Sequence, residues 1–156
     1  MMKNKLDISF HVQNPLWKTR LRPYTKTVQM VLETALSETK LKNSKNNFEI
    51  AVVLTDDAFV KDLNRQYRGK NKPTNVLSFP ASPMTSELGD IVLAIETIEK
   101  EAREQKKTFR NHATHLLVHG FLHLLGYDHI EEKQADIMEK MEIKILEKLG
   151  VTNPYL

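Results

Sequence analysis

Between Val118 and His129 the chain reads VHGFLHLLGYDH, which gathers His119, His123 and His129, three of its six histidines, into one apolar stretch. Residues four apart on an α-helix project from one face, one turn above the other, so His119 and His123 can offer two imidazole nitrogens to a single ion. Gly126 can take the left-handed conformation and break the chain off the helix, letting the following residues fold back and deliver His129 as a third donor. Three imidazoles without a fourth protein ligand leave one coordination position for water. That is the arrangement of a catalytic zinc rather than a closed structural one, and it lowers the pKa of the bound water to about 7. The alternative is a set of hydrogen-bonded core histidines. His112 and His115 lie upstream at related spacings and read as surface or packing residues, with His115, one turn before His119, as a reserve ligand. His11 carries no signal. Asp128 reads either as the carboxylate that orients an imidazole or as a solvent-facing turn residue.

The composition sharpens this reading. Cysteine is absent, which excludes disulfides, thiolate zinc sites and cysteine nucleophiles and leaves histidine and carboxylate as the strong metal ligands. A chain of 156 residues fits one domain, 1–156, able to bury roughly 70% of its unfolded surface. With 40% hydrophobic and 28% charged residues, neither disorder nor a repeat array is indicated. The N-terminal residues lack the apolar core of a signal peptide and no later segment is long enough to span a bilayer, so a soluble cytoplasmic protein is expected. From Lys61 to Lys72 five basic residues stand against one acid, a local charge of +4 that exceeds the +3 of the whole chain. This segment reads as a solvated helix end or as a phosphate-binding patch.

The elements that must position the histidines follow from periodicity. LDISFHV alternates as a first strand, with Leu6, Ile8 and Phe10 on one face, ended by Pro15. Val28, Val31, Leu32, Ala35 and Leu36 form a helical stripe, and FEIAVVL is β-branched and short, hence a strand. Thr55, Asp56 and Asp57 open a helix whose Phe59, Leu63 and Tyr67 share a face and which Gly69 ends. NVLSFP and GDIVLAI read as two further strands joined by the loop ASPMTSEL. Three helices follow: a short one marked by Ile98 and Ala102, one from Phe109 to Leu125 capped by Thr108 and stopped by Gly126, and a last one opened by Glu131 and Glu132 with Met138, Met141, Ile145 and Leu149 inward. The helix with two of the histidines is apolar nearly all round and should be the buried central one. The order implies an α/β or α+β domain around a small mixed sheet.

The spacing H-x-x-x-H-x-x-G-x-x-H is that of the metzincin proteases, in which glutamate follows the first histidine as general base. Gly120 stands there instead, which keeps the metal geometry and removes the proton acceptor of peptide hydrolysis. The fuller string HGFLHLLGYDH closely resembles the signature of the YbeY family, bacterial zinc-dependent endoribonucleases of ribosomal RNA maturation. YRGKNKPTNVLSFP, from Tyr67 to Pro80, and GDIVLAIETIEKEA, from Gly89, resemble further motifs of that family, so the likeness covers most of the chain. It implies an α+β fold, a mixed four-stranded sheet packed by helices, with the metal in a cleft beside the central helix. It makes His119, His123 and His129 the ligands of one Zn²⁺ and Arg68 the functional arginine nearby, with His119 and Arg68 as catalytic residues.

An endoribonuclease must hold a polyanion, and Arg65, Arg68, Lys70 and Lys72 just ahead of PTNVLSFP then read as phosphate contacts. A planar guanidinium at Arg68 suits bidentate phosphate binding, pairing with a carboxylate being its structural alternative. No aromatic array marks an RNA-stacking platform, so base-sequence readout by stacking is not expected, and Tyr127 reads as packing against the helix, with stacking as its alternative. The activity implied is cleavage of single-stranded RNA in small-subunit ribosomal RNA 3′-end processing and ribosome quality control. The ribosome and its proteins are the implied partners, with no DNA and no membrane. Two other readings stay open: a non-catalytic RNA- or ribosome-binding assembly factor with a structural metal, and a metal-dependent hydrolase of another substrate.

Overall fold

The computed structural model describes residues 5–82 and 85–156, so Pro83 and Met84 of the expected loop lie outside the described residues. Strand β1 (Leu6–Val12) alternates as expected, with Leu6 buried, Ile8, Phe10 and Val12 half-buried, and Asp7, Ser9 and His11 exposed. Pro15 does end the strand, but it also caps a one-turn helix that periodicity cannot reveal. This helix, α1 (Leu16–Arg20), buries Trp17, whose indole Nε1 donates to the Thr55 carbonyl at 2.9 Å. Helix α2 (Tyr24–Ser37) buries the expected stripe from Val28 to Leu36.

Strand β2 (Phe48–Thr55) leads into α3 (Asp57–Arg68). The Asp56 side chain accepts from the Phe59 N–H at 3.0 Å, and Gly69, at φ +67°, closes the helix in the left-handed region. Phe59, Leu63 and Tyr67 share a face of α3, as expected, but the buried side lies next to it. Val60 and Asn64 are buried and Leu63 is half-buried, whereas Phe59 and Tyr67 are 38% and 67% exposed. The reason is that α3 covers only a narrow apolar strip, where Val60 meets Leu77, Val92 and Ala94 in a small core of their own. One edge of its apolar face finds partners and the other does not.

Strands β3 (Val76–Pro80) and β4 (Glu87–Ala94) complete a four-stranded sheet in the order β1-β2-β4-β3. β1, β2 and β4 run parallel, and β3 is antiparallel to β4 at the edge. Alternation along β4 serves both faces, Ile91 and Leu93 entering the main core and Val92 and Ala94 the small one. Helices α4 (Ile95–Glu104), α5 (Phe109–Leu124) and α6 (Glu132–Lys148) follow. Helix α5 is central, touching α2, α4, α6, β3 and β4. Thr108 caps it, accepting from the Asn111 N–H at 3.1 Å. No helix among the described residues is long and apolar enough to cross a membrane.

Gly120 sets the distance between α5 and the sheet. A Cβ there would stand 3.1 Å from Ile91 Cγ2 and Ser78 Oγ and 3.2 Å from Val76 Cγ2. Two of these neighbours are β-branched strand residues with little rotamer freedom. Ser78 also donates its hydroxyl to the Gly120 carbonyl at 3.0 Å. Alanine gains about 1 kcal/mol in helix propensity, and overpacking costs about 1–3 kcal/mol, so Gly120→Ala is expected to lose about 1 kcal/mol net. Urea unfolding of the metal-free protein measures this, and unchanged or raised stability would show that the sheet gives way.

Candidate metal centre

Helix α5 carries His119 and His123 toward its C-terminal end. Beyond them the N–H groups of Gly126 and Tyr127 bond the carbonyls of His123 at 3.0 Å and Leu122 at 3.1 Å, with Gly126 at φ +95° turning the chain away. The returning chain sets His129 against the pair. Ring centroids lie 4.5 Å apart for His119 and His123, 5.1 Å for His123 and His129, and 5.6 Å for His119 and His129. One nitrogen from each ring falls within 4.8 Å of the others, and Nε2 of His119 stands 3.0 Å from Nε2 of His123. Two nitrogens bound to one tetrahedral zinc stand roughly 3.3 Å apart, so this pair is near ligand spacing. Burial, then the neighbouring His119 and His129, holds the His123 imidazole below its usual pKa and favours the neutral form a metal requires.

Behind the triad lies a residue the sequence did not announce. Glu142, on α6, is completely buried. Its carboxylate meets Nδ1 of His119, the hydroxyl of Tyr155, and Nε2 of His115 at 3.1 Å. Burial pushes its pKa up, but hydrogen bonds from His115, His119 and Tyr155 outweigh that and bring it to about 2, so the carboxylate is ionised and only accepts. The Nδ1 of His119 therefore donates, which leaves Nε2, the nitrogen that faces His123, as the one free to meet a metal. His115, His119 and Glu142 also have metal-binding spacing. Their facing atoms are already used on one another, which makes this cluster the support of the open triad. His115 is thus a partner of Glu142, and His112 is a packing residue, buried with Nε2 2.8 Å from Glu101 Oε1. Asp128 accepts from the backbone N–H of His129 at 2.7 Å and bonds no imidazole among the described residues, whereas Glu142 meets that of His119. One signal could have found Glu142: an acid within the inward stripe between Met138 and Ile145.

The triad opens on a cleft of about 730 Å³ whose far wall is β3 with Thr74 and Asn75. Arg68, the last residue of α3, lines the same cleft. It is exposed and makes no ion pair among the described residues. Of the other basic residues in that segment, Arg65 turns to Asp62, while Lys70 and Lys72 are exposed outside the cleft lining. The Asn64 amide donates to the Lys72 carbonyl at 2.9 Å and ties the loop beyond Gly69 to α3. Tyr127 packs against the main core, as expected.

A family model described as Endoribonuclease YbeY matches residues 11–150. A Rhizobium etli protein named Endoribonuclease YbeY is 44% identical over 97% of this chain and 94% of its own length. A Methylocella silvestris protein of the same name is 45% identical over 99% of this chain and 87% of its own. A solution structure of a Thermotoga maritima protein superposes with a TM-score of 0.57 at 23% identity, covering 92% of each chain, and supports the fold. With similarity on this scale from end to end, the chain belongs to the YbeY family.

Proposed function

We propose that this protein is a metal-dependent endoribonuclease, one domain over residues 1–156, which cleaves single-stranded RNA. The observation that carries the proposal is the shared cleft: an open histidine triad on one side and an unpaired guanidinium, Arg68, on the other. His119, His123 and His129 are the ligands we assign to one Zn²⁺, and three imidazole donors suit that ion. When bound, the ion supplies Lewis-acid charge at the phosphodiester. Arg68 holds the phosphate by two parallel N–H contacts and offsets the charge that grows on it in the transition state. Glu142 keeps His119 in one tautomer, so that the ligand nitrogen does not exchange its proton for a metal bond. On the family resemblance we place the activity in ribosomal RNA maturation in the cytoplasm, with the ribosome as partner and no DNA substrate.

The test is cleavage of a labelled single-stranded RNA by protein of known metal content. Arg68→Ala is expected to lower kcat/KM on the order of 10²-fold with metal content unchanged, and Arg68→Lys to recover only part of it. Full activity in Arg68→Ala removes the arginine from the mechanism. A metal-loaded wild type that never cleaves RNA refutes the nuclease itself. A 2′,3′-cyclic phosphate on the product would identify the ribose hydroxyl as nucleophile.

A further inference from the structure

The cleft carries more apolar surface than phosphodiester chemistry uses. Tyr67 is 67% exposed and Ile130 is 83% exposed, and both line the metal cleft, one from the end of α3 and the other directly after His129. Scattered exposed apolar residues need no explanation, but two on one cleft beside an unpaired guanidinium do. Tyr67 is also held in place. Its ring makes an edge-to-face contact with Phe79, with centroids 5.3 Å apart and planes at 63°. The same two rings also line a neighbouring groove of about 370 Å³ between α3 and the outer sheet face, with Val53, Phe59, Leu63, Val92 and Asp90.

We propose that Tyr67, backed by Phe79, is the platform on which one unpaired base of the RNA stacks, next to the phosphate held by Arg68. This rests on the endoribonuclease reading and names where the uncharged part of its substrate lies. A phosphate gains nothing from an aromatic ring, whereas every base has a π-face and stacks on one without regard to its identity. Tyr67 and Arg68 line the same cleft, which places an aromatic face and a guanidinium within the reach of one bound strand. Lys70 and Lys72, exposed on the following loop, extend the positive charge toward neighbouring phosphates. A duplex keeps its base faces inside the stack, so the platform selects single strands.

The experiment mixes metal-loaded protein with short single-stranded RNAs carrying 2-aminopurine at successive positions. Stacking is read as fluorescence quenching on binding, and cleavage as products in the same mixture. One position is expected to quench with the wild type, with Tyr67→Phe and with Tyr67→Trp, but not with Tyr67→Ala. In Tyr67→Ala, KM is expected to rise on the order of tenfold at nearly constant kcat. An abasic nucleotide at that position is expected to abolish the difference between wild type and Tyr67→Ala. Quenching and KM unchanged in Tyr67→Ala overturn the platform, as does a Tyr67→Phe protein as impaired as Tyr67→Ala, since the hydroxyl rather than the ring would then be the contact. Quenching that depends on Tyr67 without any RNA products supports the platform and refutes the endoribonuclease reading.

Discussion

Alanine in place of His123 is expected to strip the protein of its metal and reduce RNA cleavage to background while leaving the fold intact. Its Nε2 lies 3.0 Å from that of His119, and the third ring closes on both, so removing it leaves two donors where a stable site needs three. The side chain is only partly buried and looks into the cleft, so truncation removes few core contacts. Chelation separates loss of metal from loss of fold. An ion bound at 100 times its Kd contributes about 2.7 kcal/mol. In a chain of this size that is roughly 5–10 °C in Tm. Chelator should therefore lower the wild-type Tm to that of His123→Ala and leave the variant unmoved. Cleavage that persists in metal-free His123→Ala would place the activity outside this site.

The second large effect is expected at Glu142, a buried residue outside the cleft lining. Replacing it by alanine leaves three donors, on the half-buried His115 and His119 and on Tyr155, facing a void. Leaving such donors without an acceptor costs about 1–3 kcal/mol, measurable as a lower urea midpoint. Glu142→Gln preserves shape and separates the two roles. Its carbonyl can keep either His119 or the pair His115 and Tyr155, and its NH₂ opposes whatever stands at the other position, so the hold on the His119 tautomer weakens. Metal affinity by chelator competition is expected to fall 10–100-fold, about the cost of losing an outer partner of a metal-bound histidine. Wild-type metal affinity in Glu142→Gln would reduce the carboxylate to a purely structural group.

These two residues show what was legible in the sequence. His119, His123 and His129 could be read because their geometry is local: a four-residue helical spacing and a glycine stop place them without knowledge of the rest of the chain. For Glu142 only its inward position was legible, as an acid within the stripe of α6; its partners were not, because it reaches His119 only when α6 packs on α5, and Tyr155 joins it from the segment after Gly150. The strands and main helices followed from periodicity, while strand order, set by non-local pairing, came only with the structure. On α3 the apolar pattern was present, but how much sheet lay beneath it decided that Val60 went in and Tyr67 stayed out. Tyr67 and Phe79 gave no aromatic cluster in sequence because their contact joins a helix end to an edge strand.

The close seat of Gly120 on the sheet also fixes what this scaffold can become. A metzincin-like peptidase carries its general base at that position, but here the position faces Val76, Ser78 and Ile91 rather than the imidazoles. A glutamate side chain would enter the packed layer between α5 and β3, with its charge buried and no partner in place. Acquiring the proteolytic base by one substitution would therefore cost the fold before it helped catalysis. Between this helix and a working peptidase lies an evolutionary valley, and crossing it would require the helix to lift or roll on the sheet before the carboxylate arrived.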